Sequence, residues 1–406
     1  MSDDNFIGNF IIANNGNECP KEYIVWSGYA ALSFAIGPQV WINYEHFAVS
    51  ANLYVCLVGP AGNRKTFARD KAMELLMDGM RDPVVSAECE TKQGITAFMA
   101  QNEQTRFFPH PNGKLFEFHP YGIFGSELMN YLSLGASDMI VFLTDIYDHA
   151  FKPYRYRLKK EFEFIKNPYV VMLSCTTPKW LCDQIKTDQF CTGFGRRTIF
   201  VCNDSDIRMR PTMSEESRLA RQRCVDRIKH VVYTKNPLNP GVVGEYRLDP
   251  EADHWFWKEW YLRFPLGDDP FMRSWRRSKS IQVLKVAMLT SLAEADTLVL
   301  TTRHLKTALT LLDAVESEMP MLTLRMGKSE VVESSLRIIE VLRNHGGIMA
   351  EKDLKAATLR DFKDPYQQYT TLRYLAETEQ IVGVKRTVNG VERVCCALPE
   401  ILEKKT

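Results

Sequence analysis

The stretch GPAGNRKT, residues 59–66, constrains the fold of this 406-residue chain more than any other feature. It nearly matches G-x-x-x-x-G-K-[ST], the pattern of a loop whose backbone N–H groups surround phosphate. Gly59 opens the loop and Lys65-Thr66 close it, but Arg64 stands where the pattern has its last glycine. The first question is therefore whether the loop keeps its chemistry without that glycine.

The segments on either side of the loop have the patterns of a strand and a helix. ANLYVCLVGP (51–60) is a largely apolar run, and KTFARDKAMELLMDGM (65–80) has helical periodicity. In that setting N–H groups at a helix N-terminus face an anion, a lysine reaches the outer phosphates and a hydroxyl holds Mg²⁺. The alternative is a strand–turn–helix that carries Lys-Thr by chance.

Arg64 is expected in the first turn of that helix, where right-handed backbone does not require glycine. On this interpretation the loop binds ATP with Mg²⁺, and Thr66 is the residue on the metal. The residues expected to contact the nucleotide are Gly59, Pro60, Ala61, Gly62, Asn63, Arg64, Lys65 and Thr66.

Composition narrows the class of protein. Hydrophobic residues make up 45% of the chain, and 51 Lys plus Arg nearly balance 50 Asp plus Glu. The net charge of +1 gives no overall field for nucleic acid, so contacts with DNA must come from local clusters. The ten cysteines form no C-x-x-C pair, which disfavours a zinc site. No apolar run approaches ~20 residues and no signal-peptide pattern begins the chain, so a cytoplasmic protein without membrane contact is expected.

Further apolar runs alternate with helical segments, as in a parallel sheet covered by helices on both faces. Strands are predicted at PVVSAE (83–88), YGIFGSE (121–127), PYVVMLSCTT (168–177) and RTIFVCN (197–203). The expected fold class is α/β, with a P-loop core containing a parallel sheet, a helical lid and a C-terminal winged helix. The winged helix is predicted because three helices and a hairpin with an Asn-Gly turn follow the lid. The predicted divisions are an N-terminal helical segment (1–50), the core (51–205), the lid (206–326) and the winged helix (327–406).

The ends of these strands carry polar residues suited to ATP hydrolysis. Glu127 is expected to polarise the attacking water, and Ser126 stands where an Asp commonly assists Mg²⁺. Asp145, which follows the apolar run MIVFLT, is a rival acid. Thr176 or Thr177 ends the next strand and would orient water or sense the γ-phosphate.

The segment GFGRR precedes the last of these strands. Arg196 or Arg197 in it is expected to reach the phosphate of a neighbouring subunit as an arginine finger. The order from phosphate loop through acid and polar sensor to arginine is the arrangement of AAA+ ATPases.

Six segments in this order resemble the helicase-type ATPase domain of phage and mobile-element primase–helicases, on the superfamily 3 and minichromosome-maintenance side of the AAA+ proteins. They lie within roughly residues 25–315 and read LVGPAGNRKT, FGSELMNYL, FLTDIYD, NPYVVMLSCTTPKWL, GFGRRTIFV and LKVAML. The resemblance implies that Arg is tolerated before Lys65, that Glu127 rather than Asp145 is the acid, and that Lys285 is a second sensor of the γ-phosphate. It also implies a homo-oligomeric ring, with six subunits expected, that acts on DNA alongside a separate primase. Ser126 departs from the pattern, and slow hydrolysis would follow from the missing Asp.

Two basic elements are candidates for DNA contact. FKPYRYRLKKEFEFIKNP (151–168) alternates on both sides of its centre and predicts a hairpin that grips DNA phosphates and stacks bases on its tyrosines. The alternative is a surface hairpin whose aromatic residues pack on the body of the protein. Its basic residues are Arg157, Lys159 and Lys160. In the winged helix, the helix PYQQYTTLRYLAE and the wing would contact a groove and its phosphates. The residues expected there are Gln367, Gln368, Thr371, Arg373, Lys385, Arg386 and Arg393.

These patterns together predict an ATP-dependent ring helicase or translocase on DNA. Two alternatives remain open. The first is a DNA-bound nucleotide switch or helicase loader with slow hydrolysis, which Ser126 favours. The second is a defence or signalling ATPase whose winged helix binds protein rather than DNA.

Overall fold

The chain divides into two compact units, Met1–Thr323 and Leu324–Thr406. The first two predicted divisions and all but the last three residues of the third lie within the first unit, and the fourth corresponds closely to the second unit. The computed structural model describes residues 5–132, 136–158, 161–184, 193–205, 207–234, 236, 238, 240–267, 270–326, 330–362, 364–388 and 391–399.

The strands of the first unit form two larger sheets and one separate hairpin. In chain order they are β1 (Val40–Tyr44), β2 (Phe47–Ser50), β3 (Tyr54–Val58), β4 (Arg106–Pro109), β5 (Leu115–Gly125), β6 (Tyr154–Leu158), β7 (Glu161–Ile165), β8 (Pro168–Thr176), β9 (Thr198–Cys202), β10 (Gly244–Leu248) and β11 (Val299–Leu300).

The central sheet has the order β4-β5-β8-β3-β9, and β5, β8, β3 and β9 run parallel. Every residue of β3 and β8 is buried, as expected for parallel strands covered on both faces. The strands predicted at 121–127, 168–177 and 197–203 are therefore confirmed. The strand predicted at 83–88 is reduced to a single parallel bridge between Val85 and Gly122.

The helices of the first unit flank this sheet and fill the segment after β9. They are α1 (Phe6–Ala13), α2 (Lys21–Ile36), α3 (Lys65–Gly79), α4 (Lys92–Met99), α5 (Met129–Leu132), α6 (Ala136–Ile146), α7 (Pro178–Gln184), α8 (Glu215–Val231), α9 (Pro250–His254), α10 (Pro270–Glu294) and α11 (Thr302–Met326). A π-helical turn, Trp255–Trp260, follows α9. The predicted helices before β3 and after the loop are confirmed as α2 and α3.

The second sheet, β11-β10-β1-β2, corrects two predictions. The segment 1–50 is not only helical, because it ends in the hairpin β1–β2. The segment 206–326 is not only helical either, because β10 pairs in parallel with β1, Val40 opposite Gly244. These strands are two to five residues long and gain their partners from distant parts of the chain, so local periodicity does not reveal them.

Helix α2 is part of the core and not a separate segment. The hydroxyl of Ser33 donates to the carbonyl of Ala51 at 2.8 Å and accepts from the N–H of Leu53 at 3.1 Å. The phenol of Tyr169 in β8 donates to the carbonyl of Ser33 at 2.8 Å. The helix is thereby fixed at the start of β3, the strand that leads into the loop.

The second unit contains α12 (Glu330–Asn344), β12 (Ile348–Ala350), α13 (Glu351–Thr358), α14 (Pro365–Glu377), β13 (Val382–Val388) and β14 (Val391–Ala397). Its antiparallel sheet has the order β12-β14-β13. The predicted three helices and hairpin are confirmed, with β12 as an additional short strand. The Asn389-Gly390 turn lies outside the described residues.

Candidate functional site

Residues 59–66 form a tightly braced loop between β3 and α3. The phenol oxygen of Tyr23 lies 2.8 Å from the carbonyl of Val58 and 2.9 Å from that of Asn203. The amide of Asn63 donates to the same Asn203 carbonyl at 2.7 Å. A Cβ atom on Gly59 would stand 2.3 Å from the Tyr23 oxygen and 2.5 Å from the Asn203 carbonyl, so only glycine fits there. Sequence patterns did not indicate that Tyr23 and Asn203 would hold the loop in place.

The backbone at Arg64 contradicts the expected right-handed turn. Arg64 has φ 52° and ψ 20°, in the left-handed region, and α3 begins one residue later at Lys65. The position therefore does favour glycine, as the motif implies. The Arg64 guanidinium pairs with the carboxylate of Glu18, and the Cys19 thiol lies 3.5 Å from the Arg64 carbonyl. The N-terminal segment thus contacts the residue that replaces the glycine.

Replacing Arg64 by glycine is expected to raise the free energy of unfolding relative to Arg64→Ala. Both variants lose the partly exposed ion pair with Glu18, but only glycine removes the strain of a left-handed Cβ, about 1 kcal/mol. Urea denaturation of the two variants measures the difference. Equal midpoints would show that the left-handed backbone at position 64 carries no strain.

Lys65 lies at the N-terminus of α3 with its side chain turned back over the loop. Its Nζ donates to the carbonyls of Gly59 and Pro60, both at 2.7 Å, and the residue is buried. Burial lowers the pKa of Lys65, and the Cys175 thiol and the Glu127 carboxylate oppose that shift. No side chain caps the start of α3, so its first-turn N–H groups remain available to an anion.

The open side of the loop is formed by small or polar residues. Pro60, Ala61, Gly62 and Thr66 are exposed, and Gly62 has φ +87° with open space around its Cα. An anion on this side would meet backbone and the Thr66 hydroxyl instead of bulky side chains.

The parallel strands bring the predicted acid and sensor to the same edge of the sheet as the loop. Val58 pairs with Thr176, and Gly125 pairs with Ser174, so residues that follow β5 and β8 emerge beside the loop. The N–H of Gly59 donates to the Thr176 carbonyl at 3.2 Å. We call this carboxyl end of the strands the loop edge and the opposite end the amino edge.

Glu127 is half-buried at the loop edge, directly after β5. Thr176 is buried there, whereas the Thr177 hydroxyl accepts the N–H of Trp180 at 3.4 Å at the start of α7. The rival acid Asp145 lies exposed in α6, beside a surface cavity that Arg197 also lines. Asp145 therefore lies near the amino edge, away from the loop.

Glu88 is a candidate residue that sequence reasoning missed. The Ser126 hydroxyl donates to Glu88 Oε2 at 2.8 Å, and the guanidinium of Arg69 from α3 lies 3.2 Å from Oε1. Burial raises the pKa of Glu88, but hydrogen bonding from Ser126 and the charge of Arg69 outweigh it and leave the pKa below its usual value. The carboxylate of Glu88 thus lies beside Ser126, at the place where an Asp commonly assists Mg²⁺. The sequence did contain an indication of this role, because Glu88 is the last residue of the strand predicted at 83–88.

Arg196 and Arg197 lie at the amino edge, immediately before β9. Arg197 is committed to its own chain: it donates to the Gly193 carbonyl at 3.0 Å and pairs with Asp148 at 2.5 Å. Within the described residues, Arg196 makes one hydrogen bond, 3.1 Å from its Nη1 to the Ser278 hydroxyl. Arg196 is therefore the freer of the two guanidinium groups.

Lys285, the expected second sensor of the γ-phosphate, also lies at the amino edge. Its Nζ donates to the carbonyl of Asn52 at 3.0 Å and to the side-chain oxygen of Asn52 at 2.5 Å. Asn52 precedes β3 and Gly59 follows it, so the length of the strand separates Lys285 from the loop by about 20 Å. Burial lowers the pKa of Lys285 to about 7, partly opposed by Asp148.

The predicted basic hairpin is present as β6 and β7, with Tyr154 opposite Ile165 and Arg157 opposite Phe162. Its expected tip residues, Lys159 and Lys160, lie outside the described residues. The expectation that its tyrosines stack on bases is wrong. Tyr156 is buried and donates to the Thr96 carbonyl at 3.2 Å, and Tyr154 is buried against Phe142 of α6.

In the second unit, the candidate DNA-binding helix α14 divides its polar residues between two faces. Gln368 and Thr371 are buried, against expectation, and Gln368 donates to the Lys355 carbonyl at 2.8 Å. Gln367 is half-exposed, and Arg373 is exposed, with its Nε 2.7 Å from the Glu377 carboxylate.

The exposed surface of α14 also carries Tyr366 and Tyr369, which are 75% and 54% exposed. On the hairpin β13–β14, Arg386 lies directly opposite Arg393, and the neighbouring Lys385 is exposed on the other face of the strand. Like charges opposite one another destabilise a strand pair, so this arrangement favours an anionic partner.

Comparisons with known proteins do not assign the chain to a family. No family model matches the chain, and a search of curated proteins finds no significant relative. In the part of the chain that the structure describes, no helix combines the length and apolar character of a membrane span. In the same residues, no three His, Cys, Asp or Glu side chains cluster so that they could hold a metal ion by themselves.

Proposed function

We propose that the chain is a P-loop ATPase of the AAA+ type that assembles into a ring and moves along DNA. The observation that carries the proposal is the division of residues between the two ends of one sheet. Lys65, Glu127 and Thr176 lie at the loop edge, and Arg196 lies at the amino edge. An arginine at the amino edge can complete a hydrolytic site only on another subunit, as a ring allows.

Three features of the loop support the binding of ATP phosphates. Gly59 has no room for a side chain, Gly62 opens the loop with a positive φ, and the start of α3 has no side-chain cap. Lys65 is held against two carbonyls, from which its ammonium can turn to a phosphate oxygen. The Thr66 hydroxyl and the Glu88 carboxylate would hold Mg²⁺, which when bound neutralises charge on the phosphates.

The remaining residues have roles in the attack on the γ-phosphate. Glu127, half-buried beside Lys65, would hold the attacking water and accept its proton. Thr176 would orient that water or the terminal phosphate. Arg196 of a neighbouring subunit would stabilise the charge that develops on the transferred group.

The role on DNA is supported by the basic wing. Arg386 and Arg393 face each other across the strand pair, and Lys385 adds an exposed cation on the other face of β13. Three helices followed by a hairpin is the order of a winged helix, in which the side chains of Gln367 and Arg373 on α14 would meet the groove and the hairpin would contact phosphates. The same proposal includes the predicted contact of Lys159 and Lys160 with the phosphates of single-stranded DNA.

The Arg386→Ala/Arg393→Ala double variant is expected to bind DNA roughly tenfold or more weakly in fluorescence anisotropy at low salt. The slope of log affinity against log salt should fall by about two, because each arginine would neutralise one phosphate. Arg337→Ala/Arg360→Ala, which removes two exposed arginines from the same unit, is the charge-matched control. Equal weakening in the two pairs, or none in the wing variant, would contradict the wing as a DNA-binding surface.

A second candidate function is favoured by the tyrosines on α14. Tyr366, Tyr369 and Tyr374 are all exposed, and exposed tyrosines beside an arginine are enriched at protein interfaces. A signalling or defence ATPase that docks protein on this helix would keep the same loop chemistry. Its hydrolysis would be indifferent to DNA.

A further inference from the structure

A cavity of about 640 Å³ lies at the amino edge of the central sheet, between β2, the segment that follows α6, and α10. It is separate from the loop, because β3 runs from Asn52 at the cavity to Gly59 at the loop. Its size is that of pockets that enclose small-molecule ligands, about 300–1,000 Å³.

The charge of the cavity wall is strongly positive. Among the described residues that line it, Asp148 is the sole carboxylate, and its pKa is held low chiefly by Arg197 in spite of burial. Four cations line the same space, Lys152, Arg196, Arg197 and Arg277, and Lys285, whose pKa is about 7, adds a group that is partly protonated at neutral pH. Since one carboxylate cannot balance these cations, the wall favours an anion with more than one negative charge.

Two buried polar atoms on this wall lack a hydrogen-bond partner among the described residues. They are Oε1 of Gln282, a residue only 2% exposed, and Nε of Arg197. The Gln282 amide nitrogen is already used, since it donates to the Arg197 carbonyl at 3.2 Å. Buried polar atoms are normally paired, so an acceptor and a donor here indicate a polar ligand.

Two aromatic side chains, Phe47 and Phe151, also line the cavity. Phe47 is 53% exposed, and Phe151 packs edge-on to Trp41 with ring centroids 6.2 Å apart. Exposed aromatic rings beside cations suit a planar ring that carries phosphate, because bases stack on aromatic faces and phosphates pair with arginine.

We propose that this cavity binds a nucleotide, with the phosphates on Arg277 and Lys285 and the base against Phe47 and Phe151. The cavity then forms a second nucleotide site, held by a single chain and distinct from the loop. The inference does not rest on the proposed function, because it needs neither hydrolysis nor a neighbouring subunit.

The test is nucleotide binding to the full chain with the loop disabled. Lys65→Ala protein is titrated with ADP in a calorimeter, as are the Lys65→Ala/Arg277→Glu and Lys65→Ala/Arg81→Glu variants. Arg277 and Arg81 are both exposed, so neither change threatens the fold, and Arg81 lies away from the cavity. We expect binding to persist in Lys65→Ala, to weaken about tenfold or more with Arg277→Glu, and to be unaffected by Arg81→Glu.

Absence of ADP binding to Lys65→Ala protein at millimolar concentration would overturn the proposal, as would equal affinities of the two double variants. Competition between ADP and pyrophosphate then tests whether the ligand is a nucleotide. Full displacement of ADP by pyrophosphate at equal concentration would show that the base contributes nothing and would overturn the nucleotide assignment. Stronger displacement by ADP than by pyrophosphate, together with weaker ADP binding in Phe47→Ala, would support it. Hydrolysis is measured separately on wild-type protein, so failure of the ATPase proposal and failure of this site are distinguishable.

Discussion

Lys65→Ala is expected to reduce ATP hydrolysis by roughly 100-fold or more, the largest effect of any single change at the loop. Lys65 is the cation that the fold holds over the loop, 2.7 Å from two loop carbonyls and beside Glu127. Alanine leaves the backbone N–H groups in place but removes the charge that meets the outer phosphates. Steady-state release of phosphate measures the effect.

Lys71→Ala is the matched control for this prediction. Lys71 lies on the same helix and pairs with Glu74 at the surface, 2.7 Å from Nζ to the carboxylate. It should hydrolyse ATP at the wild-type rate. Wild-type turnover by Lys65→Ala protein would remove the loop from the catalytic site and with it the proposed ATPase.

Glu127→Gln and Arg196→Ala form the second prediction, since each removes one half of a shared site. Glu127→Gln should lower turnover by roughly 100-fold or more because it removes the base. Arg196→Ala should lower it by roughly 1,000-fold because it removes the arginine that stabilises charge on a neighbour. Both variants should still bind ATP at the loop, since neither residue forms the loop.

Mixing the two inactive variants decides whether the site is shared. A mixed ring contains interfaces in which an intact Glu127 meets an intact Arg196, so part of the activity should return. Glu88→Gln mixed with Glu127→Gln is the comparison, because both residues lie at the loop edge of one subunit and every interface then lacks one of them. Recovery in neither mixture, with assembly intact, would contradict an arginine supplied by a neighbour.

The central sheet was predictable because its strands are buried on both faces and read as continuous apolar runs. Their burial made β3, β8 and β9 recognisable as strands in the sequence. Parallel pairing of β5, β8 and β3 then brings Glu127 and Thr176 to the loop edge. The short strands β1 and β10 were not predictable. They exist through pairing across about two hundred residues of sequence, and five residues carry too little periodicity to indicate it.

The positions of site residues were predictable where a motif fixes them at the end of a strand. They were not predictable where contacts between distant parts of the chain fix them. Arg64 was expected in right-handed backbone, but it lies in the left-handed region immediately before α3, in a loop that Tyr23 and Asn203 brace from distant parts of the chain. The sequence named Lys285 as a sensor of the γ-phosphate but not its place in the fold, and the course of α10 brings it to the end of β3 that is opposite the loop. Glu88 was overlooked since its partner, Ser126, lies 38 residues further along the chain.

The central claim is that this loop hydrolyses ATP for work on DNA, and one measurement tests it most directly. ATP hydrolysis is followed with and without single-stranded DNA, with Lys65→Ala protein as the blank. The proposal predicts turnover that exceeds the blank and rises several-fold with DNA. Turnover unchanged by DNA would contradict the motor and favour a protein-docking ATPase, and turnover no higher than the blank would favour a nucleotide switch.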